Sequence, residues 1–232
     1  TGTKYYYGAN GRVWNSPVSP DYKCPVASDK FTTTTAKGNG KLSYPVGLIS
    51  ADEITFAGLP AGKTNNSFYL YTGDYYWAGS PRGFYDSYSV EFFVDVRGYL
   101  SYSYVNYYCG VRGVVSLSSK AKLSGNETWN NVYEVKKKGY ETILANNTVH
   151  ETAPNFASTA TTNEGLYKAQ DDLGTSYYFR GAVDNNWVKY GKYTKDMYNC
   201  NNGTISATDT GNSCTKIASS GDDIYWRIIR IN

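Results

Sequence analysis

Val90, Phe92, Val94 and Val96 alternate with Glu91, Phe93 and Asp95. Alternation puts the first set on one face of an extended strand and the second set on the other, which predicts a half-buried strand with its apolar face towards a core. Arg97-Gly98 reads as a turn, Tyr99 to Tyr108 begins a partner strand, and Val111 to Leu117 finishes an antiparallel meander. Ser80-Pro81 reads as a turn ahead of it.

Around this meander the chain predicts short elements. Ser50-Ala51-Asp52-Glu53 has the spacing of a capping box, so a short helix runs to about Ala57 and closes at Gly58. Val132 to Asn146 reads as a longer helix, with Tyr133, Tyr140, Ile143 and Leu144 near helical spacing and Gly139 as its weak point. Thr161-Thr162-Asn163-Glu164 reads as a second capping box, and Ser176 to Ala182, Trp187 to Tyr193 and Ile224 to Ile231 read as strands. Thr1 to Asp29, broken by Gly8, Gly11, Pro17, Pro20 and Pro25, reads as an irregular segment pinned to a core. The expected class is α+β, with a Tyr-rich antiparallel meander, short helices and long irregular loops. One main domain with a small satellite suits a chain of 232 residues. Its expected divisions are a core portion over 1–131, a helix and linker over 132–160, and a strand-rich portion over 161–232 that completes the same fold.

Composition narrows the function. The chain holds 25 Tyr and 5 Trp against one Met and one His. Tyrosine couples a large apolar ring to a polar tip, which suits both half-buried strands and contact surfaces. The net charge of +3 is mild and the longest basic run is Lys136-Lys137-Lys138, so no nucleic-acid partner is expected. No apolar stretch of about 18 residues occurs, so a membrane is expected only through a segment absent from this chain. Cys200 and Cys214 flank a polar loop and are expected to form a local disulfide of the kind that oxidising compartments permit. The four cysteines include no C-x-x-C pair with histidine partners, so no metal site is expected.

No catalytic constellation emerges, and neither an enzyme nor a cofactor is expected. His150 reads as a solvated loop residue, Asp171-Asp172 and Asp222-Asp223 as turn residues, Trp77 as core, and Arg112 as a structural hydrogen-bonding group. The candidate ligand-binding residues lie in the meander. Arg82, Phe84, Tyr85, Asp86 and Tyr88 follow the Ser80-Pro81 turn, and Tyr102, Tyr104, Asn106 and Tyr107 lie on the returning strand, with Cys109 beyond them. Tyr, Asn, Asp and Arg are paratope chemistry: rigid amphipathic anchors beside adaptable hydrogen-bonding groups.

Several motifs also carry a resemblance. Tyr44-Pro-Val-Gly-Leu-Ile-Ser-Ala-Asp-Glu53, Tyr75-Tyr-Trp-Ala-Gly-Ser-Pro81, Gly110-Val-Arg-Gly-Val-Val-Ser-Leu117, Gly174-Thr-Ser-Tyr-Tyr-Phe-Arg-Gly-Ala-Val183 and Tyr225-Trp-Arg-Ile-Ile-Arg-Ile-Asn232 resemble surface proteins of gut Gram-positive bacteria. Those are similar to the C-type-lectin-fold variable proteins of diversity-generating retroelements. The resemblance implies a C-type-lectin-like fold, an extracellular or cell-surface location, and a diversified ligand-binding stretch between the Trp77 and Arg112 motifs. It implies a non-enzymatic binding or adhesion domain whose partner is a protein or glycan on another cell or surface. The alternative is a structural subunit that self-associates into a pilus or extracellular filament. Two departures stand out: Gly113 replaces the family's proline, and the order of motifs is rotated. A circular permutant, a tandem unit cut mid-repeat, and two pieces joined without their connection all give that order.

Overall fold

The computed structural model describes residues 4–23, 31–32, 40–41, 43–44, 46–117, 122–124, 132–200, 205–208 and 213–232. The fold is α+β and mostly sheet, with few and short helices. Two compact units emerge. The larger takes Thr1–Ser119, Ile143–Asp184 and Ile229–Asn232, and the smaller takes Lys120–Thr142 and Asn185–Ile228. These limits cut across the divisions expected near 131 and 160, because strands remote in sequence pair with one another. Val132–Lys138, for example, runs parallel to Trp187–Lys192.

In the larger unit, β1 (Lys4–Tyr6), β2 (Tyr76–Tyr85), β3 (Tyr88–Val94) and β4 (Leu100–Tyr104) form an antiparallel sheet in that order. The alternation in β3 does what its sequence predicts: Val90, Phe92 and Val94 are buried, together with Tyr76 and Leu100 from the neighbouring strands. Val96 is an exception. It falls beyond the strand, in the turn to β4, and is exposed. The expected Ser80-Pro81 turn is also overturned, since β2 runs straight through both residues with register shifts on either side of Pro81. Proline is tolerated there because a bulge needs no ladder donor. The Ser80 hydroxyl oxygen accepts the Ala51 N–H at 2.9 Å, which ties the strand to the start of helix α1 (Ala51–Phe56). Val111 to Leu117 does not extend the meander. Only Gly113–Val115 is strand, and it pairs with Val46–Leu48 in a separate two-stranded sheet.

Helix α1 carries the predicted capping box. Ser50 Oγ accepts the Glu53 N–H, and the Glu53 carboxylate accepts the Ser50 N–H. Asp52 in its first turn receives Arg12 Nε and Nη2, both at 2.8 Å. That bidentate pair fastens a π-helical turn, Asn10–Trp14, to the helix, so part of the expected irregular segment is helical.

A second antiparallel hairpin, β5 (Asn163–Asp171) with β6 (Gly174–Gly181), occupies the sequence where a capping box was expected at Thr161 to Glu164. No helix starts there because the Glu164 carboxylate is engaged elsewhere, by Arg180 Nε at 2.9 Å and by the Tyr167 hydroxyl at 3.1 Å. Val149–His150 lies along β5, and the terminal strand β7 (Arg230–Ile231) lies along β6. The Arg230 guanidinium sits 4.5 Å from the Tyr22 ring centre, so the last strand and the early segment share one core. Tyr22 stacks on Phe56 at 4.0 Å, and Phe56 meets Tyr178 at 4.5 Å.

The smaller unit holds the sheet order Asp223–Arg227, Trp187–Lys192, Val132–Lys138, Lys122–Ser124 and a three-stranded sheet of Ile205–Ser206, Met197–Cys200 and Cys214–Ala218. The long helix expected over Val132 to Asn146 is a strand as far as Lys138 and a helix, α2, only over Gly139–Ala145. β-Branched Val132 and Val135 suit the strand, and Gly139 marks the change. Ile224 to Ile231 is likewise split into Asp223–Arg227 and β7. At the base of the Asn185–Ile228 segment, Asn186 and Ile228 hold each other. Ile228 N–H donates to Asn186 O at 2.7 Å, and Asn186 Nδ2 donates to Ile228 O at 2.9 Å. Cys200 and Cys214 are joined by a disulfide across paired strands.

Arg180 is almost fully buried and donates to Glu164, to the Thr55 and Phe56 carbonyls, and to the Ser158 carbonyl. Arg180→Ala strands these acceptors and is expected to cost about 3–5 kcal/mol in urea unfolding. Lys168→Ala, which removes only the exposed pair with Glu151, should leave the midpoint in place.

Candidate binding face

Asp86 and Asn106 lie in turns, and the candidate residues on the β1–β4 sheet separate into two groups on its opposite faces. Gly83 makes this possible, because β1 crosses so closely that a Cβ there would stand 2.5 Å from the Tyr5 carbonyl oxygen. Tyr6 of β1 is thereby brought to 5.9 Å from Tyr85, and Tyr85 lies 6.1 Å from Tyr102 of β4. Trp14 closes the group at 5.4 Å from Tyr102.

Arg82 lies among these rings. Its guanidinium carbon is 3.6 Å from the Tyr102 ring centre, 4.8 Å from Trp14, 5.3 Å from Tyr6 and 5.6 Å from Tyr85. Arg82 is only 5% exposed, and its Nε and Nη1 are sealed from solvent without a hydrogen-bond acceptor. Burial pulls its pKa below the ordinary arginine value, although the Tyr102 and Tyr6 rings beside it favour the charge. The ring faces stand in for the missing oxygens as cation–π partners.

Beyond this cage the face continues outward. Tyr85 is paired with Tyr88 across the β2–β3 hairpin, and Tyr88 and Tyr104 meet at 5.1 Å. Tyr6, Tyr88 and Tyr104 are 51%, 56% and 49% exposed. Lys4 adds a cation 5.1 Å from the Tyr85 ring. Five of the sequence candidates, Arg82, Tyr85, Tyr88, Tyr102 and Tyr104, therefore share one surface. Tyr6, Trp14 and Lys4 join them from the segment read as irregular; the run Tyr5-Tyr6-Tyr7 was the signal available.

The remaining candidates lie elsewhere. Asp86 occupies the hairpin tip in the left-handed region, at φ 54°, and serves the turn. Phe84 pairs with Tyr5 on the opposite face. Tyr107 packs at 6.2 Å from Tyr75, which stacks on Phe93, again on that opposite face; Asn106 lies in the turn before it. Trp77 belongs there too. It is half-buried against Phe93 rather than core, because Tyr76 and Ala78 take the inward positions of its strand. Cys109 is a half-buried free thiol whose pKa burial pushes up; Cys24 lies outside the described residues.

Other singled-out groups have structural partners. His150 is not a solvated loop residue but half-buried on a short strand, stacked on Tyr167 at 4.5 Å. Asp171 accepts the Leu173 and Gly174 N–H groups of its turn and binds Arg230 and Asn232. Asp222 accepts the Ser219 N–H, and Asp223 pairs with Lys192. Arg112 donates to the Leu70 carbonyl and lies against the Tyr76 ring. Among the described residues no group of three or more His, Cys, Asp or Glu is arranged to hold a metal ion. Two clefts open elsewhere. One of about 280 Å³ is lined by Phe56, Phe156 and Tyr178, and one of about 560 Å³ in the smaller unit by Tyr193 and Tyr225. Neither is lined by a residue of the tyrosine face.

Comparison of the chain with protein-family models, with curated proteins and with solved structures yields no match. Fold and site define it as an α+β protein, mostly sheet, with an arginine-centred aromatic face.

The rings divide into support and rim, and stability measurements should separate them. Tyr102→Ala, which uncovers Arg82, is expected to cost about 2–3 kcal/mol, whereas Tyr88→Ala and Tyr104→Ala should each cost about 1 kcal/mol or less.

The β3–β4 turn that sets the register of Tyr102 and Tyr104 depends on Asp95. Burial raises its pKa, but hydrogen bonds from the Arg97 guanidinium and the Tyr99 and Arg97 N–H groups outweigh that and hold it below the ordinary value. A depressed folded pKa contributes stability that is present above the unfolded value, about 3.9, and is lost as pH falls through the folded one. Acid unfolding followed by circular dichroism should be shallower for Asp95→Asn than for wild type in that window.

Proposed function

We propose that the protein is a non-enzymatic binding or adhesion domain of C-type-lectin-like fold, displayed at a cell surface, which contacts a protein or glycan through the tyrosine face. The observation that carries this reading is the pairing of rigidity with exposure. Tyr6, Tyr88 and Tyr104 remain about half exposed, while the rings behind them are held around Arg82. Contact surfaces favour such rings, since a fixed tyrosine loses little entropy on binding and supplies both apolar area and a hydroxyl. Contiguous exposed aromatic area is also costly to leave open without a partner. The Cys200–Cys214 disulfide supports an oxidising, extracytoplasmic setting. The resemblance to diversified surface proteins would imply binding through the same stretch of chain. The diversification itself is testable in the encoding DNA, as a near-copy of the Asp74 to Leu117 segment beside a reverse transcriptase.

The test uses wild type and a Tyr88→Ala/Tyr104→Ala double variant on protein and glycan arrays, with sedimentation velocity alongside. Wild type is expected to bind a discrete target, and the folded double variant to bind it at least about 30-fold more weakly, as loss of two interface anchors implies. Equal binding by both proteins removes the face from consideration. Self-association that the double variant alone loses identifies the face as a subunit contact of a filament instead.

A further inference from the structure

Arg82 is more than a spacer between rings. Every other arginine of the chain donates to an oxygen: Arg12 to Asp52, Arg97 to Asp95, Arg112 to Leu70, Arg180 to Glu164, Arg227 to Asn186 and Arg230 to Asp171. Arg82 donates to none, and Nε and Nη1 are sealed. Nη2 is not among the sealed, unpartnered nitrogens. A desolvated cation without an anion is costly, and cation–π contacts offset only part of that cost. Lys4 adds a second positive charge at the Tyr85 ring. Asp86, at the tip of the hairpin, makes no ion pair with either. The face thus holds a buried positive charge among the half-buried rings of Trp14, Tyr85 and Tyr102, with the exposed rings of Tyr6, Tyr88 and Tyr104 on the same surface, and its complement is an anion on an apolar body.

Composition points to the source of that anion. Tyr, Trp and Arg clustered on an open sheet surface are the residues that dominate protein–protein contacts. Building on the binding reading above, we propose that the tyrosine face docks a partner protein through an Asp or Glu side chain. The partner carboxylate accepts a hydrogen bond from Arg82 Nη2, while Tyr6, Tyr88 and Tyr104 close around it and exclude water. Such a charge-assisted bond is strong where its surroundings are dry.

The test pans a phage-displayed library of random peptides on the whole wild-type chain. Synthetic copies of the selected peptides are then measured by calorimetry against wild type, Tyr104→Ala, Arg82→Met and Arg82→Lys, with melting temperatures recorded for each. Selected peptides are expected to share an Asp or Glu. Changing it to Asn or Gln, or Arg82 to Met, should weaken binding at least about tenfold, and Arg82→Lys should retain part of the affinity. If Arg82→Met fails to fold, the carboxylate-to-amide change in the peptide decides alone. Peptides that lose affinity with Tyr104→Ala but ignore Arg82→Met and their own carboxylate overturn this inference and leave the binding reading standing. Peptides indifferent to Tyr104→Ala, or a library that yields no binder, count against both. A wild-type dimer that Arg82→Met dissociates makes a second copy of this chain the occupant and also overturns the proposal.

Discussion

The guanidinium of Arg180 organises the larger unit. It is placed by β6, yet its acceptors come from three other parts of the chain: the last turn of α1, the segment around Ser158, and Glu164 at the start of β5. It donates to two carbonyls in the last turn of α1, where a helix runs short of backbone donors: Phe56 O, and Thr55 O, which also accepts the Gly58 N–H. Six residues of helix do not persist unaided, and α1 is held at both ends, by Ser80 and its capping box at the start and by Arg180 at the finish. The sheet that carries the tyrosine face is joined to this arrangement through Ser80.

Arg180 and Arg82 are both buried cations, and their surroundings differ in kind. Arg180 is surrounded by oxygen and its donors are spent within the fold. Arg82 is surrounded by carbon, and its Nε and Nη1 find no acceptor within the fold. The same side chain therefore acts as an internal tie in one place and as charge held ready in the other. A fold stable enough to keep an unpaired guanidinium desolvated draws that stability from ties such as Arg180.

Local signals in the sequence carried over well where one strand or one turn decided the outcome. The β3 alternation, the Ser50–Glu53 box and the strands around Ser176 and Trp187 are present in the structure close to where they were read. Readings failed where a remote partner outweighed local preference. Ser80-Pro81 stays in a strand because α1 takes the serine hydroxyl, Glu164 leaves its box for Arg180, and Val132–Lys138 becomes a strand beside Trp187–Lys192. The candidate face was legible in part for the same reason. Its meander residues share a visible alternation, whereas Tyr6 and Trp14 arrive by a pairing of β1 with β2 that spans most of the unit's first segment. The run Tyr5-Tyr6-Tyr7 and the small size of Gly83 are the signals in these strands, and neither names the partner.

The mutual hydrogen bonds of Asn186 and Ile228 hold together the two ends of the stretch between them. Where an excursion leaves and returns at a pair of residues that already hold each other, the chain between them can change length or composition at little entropic cost to what lies outside, since loop closure varies only slowly with length. Turns within the stretch from Asn186 to Ile228 can thus change length at little cost to its ends, so long as Trp187–Lys192 keeps its place beside Val132–Lys138.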